Sequence, residues 1–274
     1  MNSYLDVAIE AAREAGGILL AEFSRPQTLA YKGDADLVTE ADRRSEAAIV
    51  ARLRNHFPRH EIVAEEGTGK ETAGGGAAAT HRWYVDPLDG TTNFAHGYPC
   101  FAVSIALAEA GAGDAPEELL AGVVFNPVSD EMFTAARGEG ACLNRKRIRV
   151  SGVERLAVGL LATGFPSHKR TQSPNIHYYW DFTLASHGVR RDGSAALDLA
   201  FVACGRFDGF WEFGLNPWDT GAGTLLVREA GGLVTDFAGR PYRLGAREVL
   251  ASNGKIHAEM QQVAADVAAR SNSK

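Results

Sequence analysis

WYVDPLDGTTNFAHG, residues 83–97, opens as an apolar strand-like run and ends that run on an aspartate. Asp86 is held extended because a proline follows it. Pro87 fixes its own φ, so the backbone between Asp86 and Asp89 is stiff. Gly90 lets another group approach the backbone closely. Thr91 and Thr92 can cap a short helix whose first N–H groups point outward, and such helix starts bind phosphate. Two carboxylates at this spacing repel each other. A cation, a proton or solvent has to offset that repulsion.

The pattern extends outward in both directions. The N-terminal stretch MNSYLDVAIEAAREAGGILLAEF mixes acids among its apolar residues. It predicts an amphipathic helix with Leu5, Ile9 and Ala12 on one face, and neither a signal peptide nor a membrane span. Thr39-x-x-Asp42 predicts the capped start of a second helix carrying Ile49, Leu53 and Phe57, with Pro58 beyond its end. HEIVAEEG is a short strand running into two glutamates. GTGKETAGGGAAATHR, residues 67–82, is a Gly/Ala/Thr-rich surface loop. FAVSIALAEA is a buried strand. Residues 119–150 split at NPVSD, RGEG and NRK into three or four antiparallel strands. Their basic end, RKRIRV, suits a solvated sheet edge.

From Val158 the pattern alternates. VGLLATGF is a strand, GSAALDLAFVACG a helix closed by Gly205, and FDGFWEF a strand. NPWDTGAGTLLVREAGG is a helix with its start marked by Asp219 and its end by Gly231. A hairpin in GLVTDFAG, a strand in EVLAS and a helix from about Ile256 follow. No internal repeat is visible. The order predicts an α+β half over residues 1–150 and an α/β half over residues 151–274, built as layers of helix and sheet.

Bulk properties narrow the function. The 274 residues carry a net charge of −6 and a pI near 5.8. That argues against direct nucleic-acid binding, which needs a basic face. Cys100, Cys142 and Cys204 are odd in number and form no CxxC. A disulfide framework or zinc site does not fit them, and a reducing cytoplasm does.

Four acids stand where predicted elements begin or end: Glu65, Asp86, Asp89 and Asp219. Singly, each has a plain structural explanation. Asp219 can be an N-cap, Asp89-Gly90 a turn, and Glu65 and Glu66 exposed loop charge. Together, hard oxygen ligands beside an anion-binding turn suit Mg²⁺ and phosphate far better than zinc.

DPLDGTTNF, DLVTEAD, AEEG and PWDTGAGTLLVREAGG, in this order and at this spacing, resemble the inositol monophosphatase family over nearly the whole chain. GSAALDLA followed by GRFDGFWEFGLNPWD is most similar to its bacterial branch. The resemblance implies a layered αβαβα sandwich, a homodimer, and Mg²⁺-dependent, lithium-sensitive hydrolysis of a small phosphate monoester. It implies two to three Mg²⁺ ions. Glu65, Asp86 and the Leu88 carbonyl would hold the first, and Asp86, Asp89 and Asp219 the second. Glu65 would help place a third. The Gly90 and Thr91 amides would bind phosphate, and Thr91 with Asp42 would orient the attacking water. Asp42 has a rival role as the capping-box acid alone. Glu212, with Asp89, Ser194 and Ala195, would face the alcohol part of the substrate. Glu212, between Trp211 and Phe213, can instead be a solvent-facing acid on an alternating strand.

Two departures from the family pattern stand out. Ala64 occupies the position that usually carries glycine before the paired glutamates, and the 67–82 loop is unusually rich in Gly and Ala. Direct attack of water, without a covalent enzyme intermediate, fits the lack of an activated nucleophile. The favoured substrate is myo-inositol-1-phosphate, as for an inositol-phosphate phosphatase. Nucleotide 3′-phosphatases of the superfamily usually continue Asp-Gly-Thr with Lys-Glu-Phe, and histidinol-phosphatases often have Arg-Ser-Phe. This chain has Thr92-Asn93-Phe94. Fructose-1,6-bisphosphatase activity and a binding role on the transcription machinery also stay open.

Overall fold

The strand read from residues 83–97 lies inside a seven-stranded sheet, one of two sheets around which the helices are layered. The computed structural model describes residues 3–23, 30–31, 37–38, 40–67, 80–111, 116–165 and 173–271. Thr39, and with it the proposed cap of the second helix, lies outside the described residues, as does most of the 67–82 loop.

Helix α1 (Ser3–Phe23) packs beside α2 (Glu40–His56), and a ribbon of β1 (Ala30–Tyr31) and β2 (Leu37–Val38) falls between them in sequence. The buried face of α1 is Ala8, Ala11, Ala12, Ala15 and Leu19. Leu5 and Ile9 are only partly buried, so the face is rotated from the one expected. Alanine lets the helix lie close to the sheet, where the larger Leu5 and Ile9 fill its margin.

The sheet runs in the order β3 (Glu61–Ala64), β4 (His81–Asp89), β5 (Ala102–Glu109), β6 (Glu118–Asn126), β7 (Glu131–Ala136), β8 (Gly140–Leu143) and β9 (Lys146–Arg147). Only the β3–β4 pairing is parallel. The region after residue 119 therefore does form an antiparallel meander, and its basic end is the exposed edge strand. Strand β5 is buried on both faces, which is why FAVSIALAEA reads as a continuous apolar run. Val103, Ile105 and Leu107 face the first two helices. Ala102, Ala106 and Ala108 face the layer on the other side.

After the short helix α3 (Thr91–Ala95), helices α4 (Asn175–Ala185), α5 (Ala195–Ala203), α6 (Pro217–Glu229) and α7 (His257–Ser271) belong to the second half of the chain. They surround a five-stranded mixed sheet ordered β11 (Gly188–Arg190), β10 (Leu160–Thr163), β12 (Gly209–Phe213), β14 (Glu248–Ser252) and β13 (Leu233–Thr235). Helices α5 and α6 lie between the two sheets, and α4 and α7 cover the far side of the smaller one. The layering is αβαβα, as the resemblance implies. A side chain at Gly221 of α6 would begin 2.9 Å from the Ala106 Cβ, so glycine is what lets α6 press against β5.

Helix α4 and strand β11 are not apparent in the sequence. NIHYYWDFTLA is apolar on several sides, with Tyr178 and Phe182 buried and Ile176, Trp180 and Leu184 exposed. Its 3.6-residue period is therefore blurred. Among the described residues no helix is long and apolar enough to cross a membrane.

Candidate active site

Strand β4 delivers the first two acids. Its pairing with β5 loses register between Asp86 and Asp89, where Pro87 has no N–H to give. The Asp86 carboxylate is buried, and its Oδ1 accepts from the Leu88 N–H at 2.9 Å. The turn then needs Gly90. Its φ is +97°, and a Cβ there would stand 2.9 Å from the Cys100 carbonyl oxygen. Gly90 is also the N-cap of α3, so neither threonine caps that helix, contrary to expectation. The Thr91 hydroxyl turns inward instead. It has two acceptors in reach, Asp42 Oδ1 at 3.2 Å and the Leu88 carbonyl at 3.0 Å.

Helix α2 clamps this turn from behind. Asp42, Ser45 and Glu46 are buried on one helical face at i, i+3 and i+4. Asp42 meets Thr91, so a capping role is not its only one. The Ser45 hydroxyl donates to the Pro87 carbonyl at 3.0 Å. Glu46 accepts from the Glu66 N–H at 2.6 Å and so fixes the turn carrying Glu65. Ala64 is buried at the end of β3, so its methyl joins the core. Glu65 then donates its own N–H to the Val85 carbonyl at 3.1 Å, beside the strand that bears Asp86.

The remaining groups come from the layer between the sheets. Asp89 Oδ2 accepts from the Ser194 hydroxyl at 2.6 Å and the Ala196 N–H at 2.7 Å, at the start of α5. The Ala195 N–H adds to this support. Ser194 and Ala195 are thus engaged with Asp89 itself. Asp219 is at the third position of α6, and the N-cap is Asn216. The Asp219 carboxylate reaches back to the Asn216 N–H at 2.7 Å, so the helix-start acid is the far half of a capping box and not the cap. Ser104 stands opposite Asp86 in the sheet and donates to the Trp218 carbonyl at 2.9 Å, fastening the start of α6 to the strands. Glu212, on β12, is 5% exposed and lies against Gly164, with Arg191 nearby. This burial rules out a solvent-facing Glu212.

Ser45, Glu46, Ser104 and Arg191 were not singled out from sequence. The first three carried a signal: each is a polar residue inside an otherwise apolar buried pattern. Asp198 on α5 is a further buried acid, and among the described residues neither of its oxygens has a hydrogen-bond partner.

The electrostatics follow from this crowding. Burial first, then the charges of Glu65, Asp89 and Asp219, push the Asp86 carboxyl well above its ordinary range. Burial and the Asp89 charge raise Asp219 to about 7, while donors from Asn216 and a hydrogen bond with Asp86 pull the other way. Burial raises Asp89 to about 6 against the donors from α5. Among the described residues no three His, Cys, Asp or Glu side chains already close round one point as a finished metal cage. One oxygen each of Asp86, Asp89 and Asp219 is engaged by a backbone N–H instead. The donor set still fits a hard divalent cation. Its oxygens come from carboxylates and the Leu88 carbonyl, and their mutual repulsion is what such an ion relieves.

Fold and site together define a five-layer protein whose strand and helix ends converge on an oxygen-rich cluster of acids. The chain matches the profile of the inositol monophosphatase family over residues 1–271. It is 45% identical over 267 residues to the inositol-1-monophosphatase of Synechocystis sp., covering 97% of this chain and 90% of that one. It is 47% identical over 261 residues to the Nus factor SuhB of Pseudomonas aeruginosa, covering 93% of each. Among solved structures, the inositol monophosphatase of Anabaena superposes with a TM-score of 0.83 at 41% identity, covering 96% of each chain. The extragenic suppressor protein suhB of Bartonella henselae gives 0.86 at 40%, covering 96% of this chain and 98% of that one. This chain belongs to the inositol monophosphatase family.

Proposed function

We propose that the chain hydrolyses the phosphate monoester of a polyhydroxylated alcohol, with myo-inositol-1-phosphate as the first candidate. One observation carries this: Asp86, Asp89, Asp219 and Glu65 crowd together beside a hydrogen-bonded Thr91–Asp42 pair. Glu65, Asp86 and the Leu88 carbonyl would hold one Mg²⁺, and Asp86, Asp89 and Asp219 another. Glu65 would share in a third. Bound Mg²⁺ supplies Lewis-acid polarisation, a more acidic bound water and charge stabilisation of the leaving oxygen.

The chain's own groups do the rest. The Gly90 and Thr91 amides orient the phosphate. Asp42 accepts from Thr91 and thereby aims the Thr91 oxygen at the position of the attacking water. Asp89, steadied by Ser194 and Ala195, stands with Glu212 on the alcohol side. A panel of phosphate monoesters, assayed with and without Mg²⁺, tests the proposal, and equal turnover without Mg²⁺ rejects it.

Glu212 selects the alcohol and performs no chemistry. Burial, then the Asp219 charge, raise the Glu212 carboxyl well above its ordinary range, and once ionised it would make a charged hydrogen bond to a ring hydroxyl that contributes about 1.5–3 kcal/mol. Glu212→Gln is therefore expected to lower kcat/KM for inositol-1-phosphate by about tenfold or more. Hydrolysis of p-nitrophenyl phosphate, whose leaving group has no ring hydroxyls, is expected to be nearly unchanged. An equal fall for both substrates would assign Glu212 to support of the acid cluster instead.

The proposed assembly is a homodimer. Ile176, Trp180 and Leu184 recur at i, i+4 and i+8 on α4 and are 56%, 68% and 71% exposed. A stripe of this kind is poorly suited to water and well suited to a second copy. Trp180→Lys is expected to shift the sedimenting species from dimer to monomer, and an unshifted dimer would move the interface elsewhere.

A second role in binding the transcription machinery is favoured by the kinship with a protein named Nus factor SuhB. Such a role would not need the acid cluster. Retained binding to purified transcription complexes by an Asp86→Asn variant would separate the two.

A further inference from the structure

A pocket of about 960 Å³ opens at the C-terminal end of α6. Asp219 lies near the start of that helix and Arg228 near its end, about 14 Å apart at 1.5 Å per residue. None of the four acids of the candidate site is among the lining residues, although the Tyr242 hydroxyl on the pocket wall reaches Thr220, next to Asp219, at 3.2 Å. Leu119, Leu225 and Pro241 supply apolar wall, and four acids and four arginines supply charge.

The charges do not cancel once their partners are assigned. Glu117 is held by Arg82 and by the Tyr84 hydroxyl. Glu118 pairs with Arg137, and Asp236 pairs with Arg240 at 2.6 Å. Glu229 accepts from the Gly138 N–H at 2.9 Å and the Gly140 N–H at 2.7 Å. Every acid of the lining is thus committed. Among the described residues, neither Arg228 nor Arg243 has a carboxylate partner. Arg228 donates only to the Tyr242 carbonyl, at 3.1 Å, which brings its guanidinium to the residue preceding Arg243. Much of Arg228 is open to solvent, yet its charged end is desolvated enough to lower its pKa. Arg228 and Arg243 thus line one pocket, beside apolar wall, with neither committed to a carboxylate.

We propose that this pocket is a second ligand site, and that it takes a small phosphorylated compound whose anionic groups are held by Arg228 and Arg243. Planar guanidinium forks match phosphate oxygens in pairs, which a carboxylate-free arginine pair is well placed to do. Leu119, Leu225 and Pro241 would contact the organic part of the ligand.

Pyrophosphate is a suitable probe, titrated by calorimetry into the full chain in EDTA. Without metal, the acid cluster repels anions, so it does not compete. The expected result is one site that weakens as salt rises. Arg243→Gln, on the exposed side of the pocket, is expected to weaken binding about tenfold. Arg228→Lys keeps the charge but loses the fork, and is expected to weaken it by a smaller factor. Crystals soaked in tungstate are expected to show the heavy anion between Arg228 and Arg243. No binding to the wild type, or binding that both arginine variants leave untouched, overturns the proposal. Tungstate found beside Asp86 and Asp219 instead would also overturn it. A folded Arg243→Gln protein, confirmed by an unchanged melting curve, keeps the comparison decisive.

Discussion

Replacing Asp86 by asparagine is expected to lower Mg²⁺-dependent phosphate release by roughly a hundredfold or more, because on the proposed reading its carboxylate would serve both cations. Asparagine keeps the Oδ1 that accepts from Leu88 N–H, so the turn through Pro87 is expected to survive. It also removes one of the four crowded acids. The metal-free variant is therefore expected to melt above the metal-free wild type, since Asp86 is buried among the charges of Glu65, Asp89 and Asp219. Activity and metal-free stability should move in opposite directions. Phosphate release and thermal melting in EDTA, measured on the same preparation, check both halves. Near-normal turnover would rule out Asp86 as the shared ligand. Lost activity with a lower melting point would mean that the substitution damaged the fold.

The same crowding explains which parts of the site could be read from sequence. Asp86, Asp89 and Asp219 are legible because their neighbours are diagnostic: a proline between two acids, a glycine that only a left-handed turn requires, and a helix start. Ser194 and Ala195 were placed at the site, on its alcohol side, by the family resemblance alone, because nothing local shows that the start of α5 meets Asp89 across 105 residues of chain. The clamp from α2 was partly visible. Asp42, Ser45, Glu46, Ile49, Val50 and Leu53 form one buried face, polar at the end nearest the site and apolar beyond it. Such a change along a helical face marks where a core meets a functional cleft. Glu212 was placed at the site by the family resemblance, and its burial needed the structure. A lone acid between two aromatics on a strand suits water or a buried site equally until the partner layer is known. Layers of helix and sheet were readable from the alternation of elements, and their αβαβα order only from the family resemblance, whereas α4 was hidden by apolar residues on both its core and its outer sides.

The metal-free protein is expected to lose stability as pH rises from about 6.5 to 8.5, and Mg²⁺ is expected to restore it. The sign follows from which state binds more protons. Asp219 and Asp89 titrate near 7 and 6 in the folded chain, against 3.8 as the ordinary value, and Asp86 lies higher than its own ordinary value too. Between those limits the folded state holds protons that the unfolded state has released. The stabilisation is full below 3.8 and is lost as pH climbs through the folded values. Histidines act the other way. His60 accepts from the Trp83 indole and His257 sits between Ser252 and Thr235, and burial lowers both below 6.5. Their contribution falls as pH drops through 6.5, so the upper part of the window reports the buried acids, with Asp198 and Glu212 also raised and adding in the same direction. On the proposed reading Mg²⁺ would bind the ionised carboxylates and compete with the protons, so its effect should grow with pH. At a hundred times its dissociation constant one ion adds about 2.7 kcal/mol. At about 2–4 °C per kcal/mol, that raises the melting temperature by roughly 5–10 °C. Melting curves in EDTA and in Mg²⁺, at pH 6.5 and 8.5, give the four values required. A metal-free melting point that stays level, or a Mg²⁺ shift equal at both pH values, would show that these acids are not the group the cation relieves.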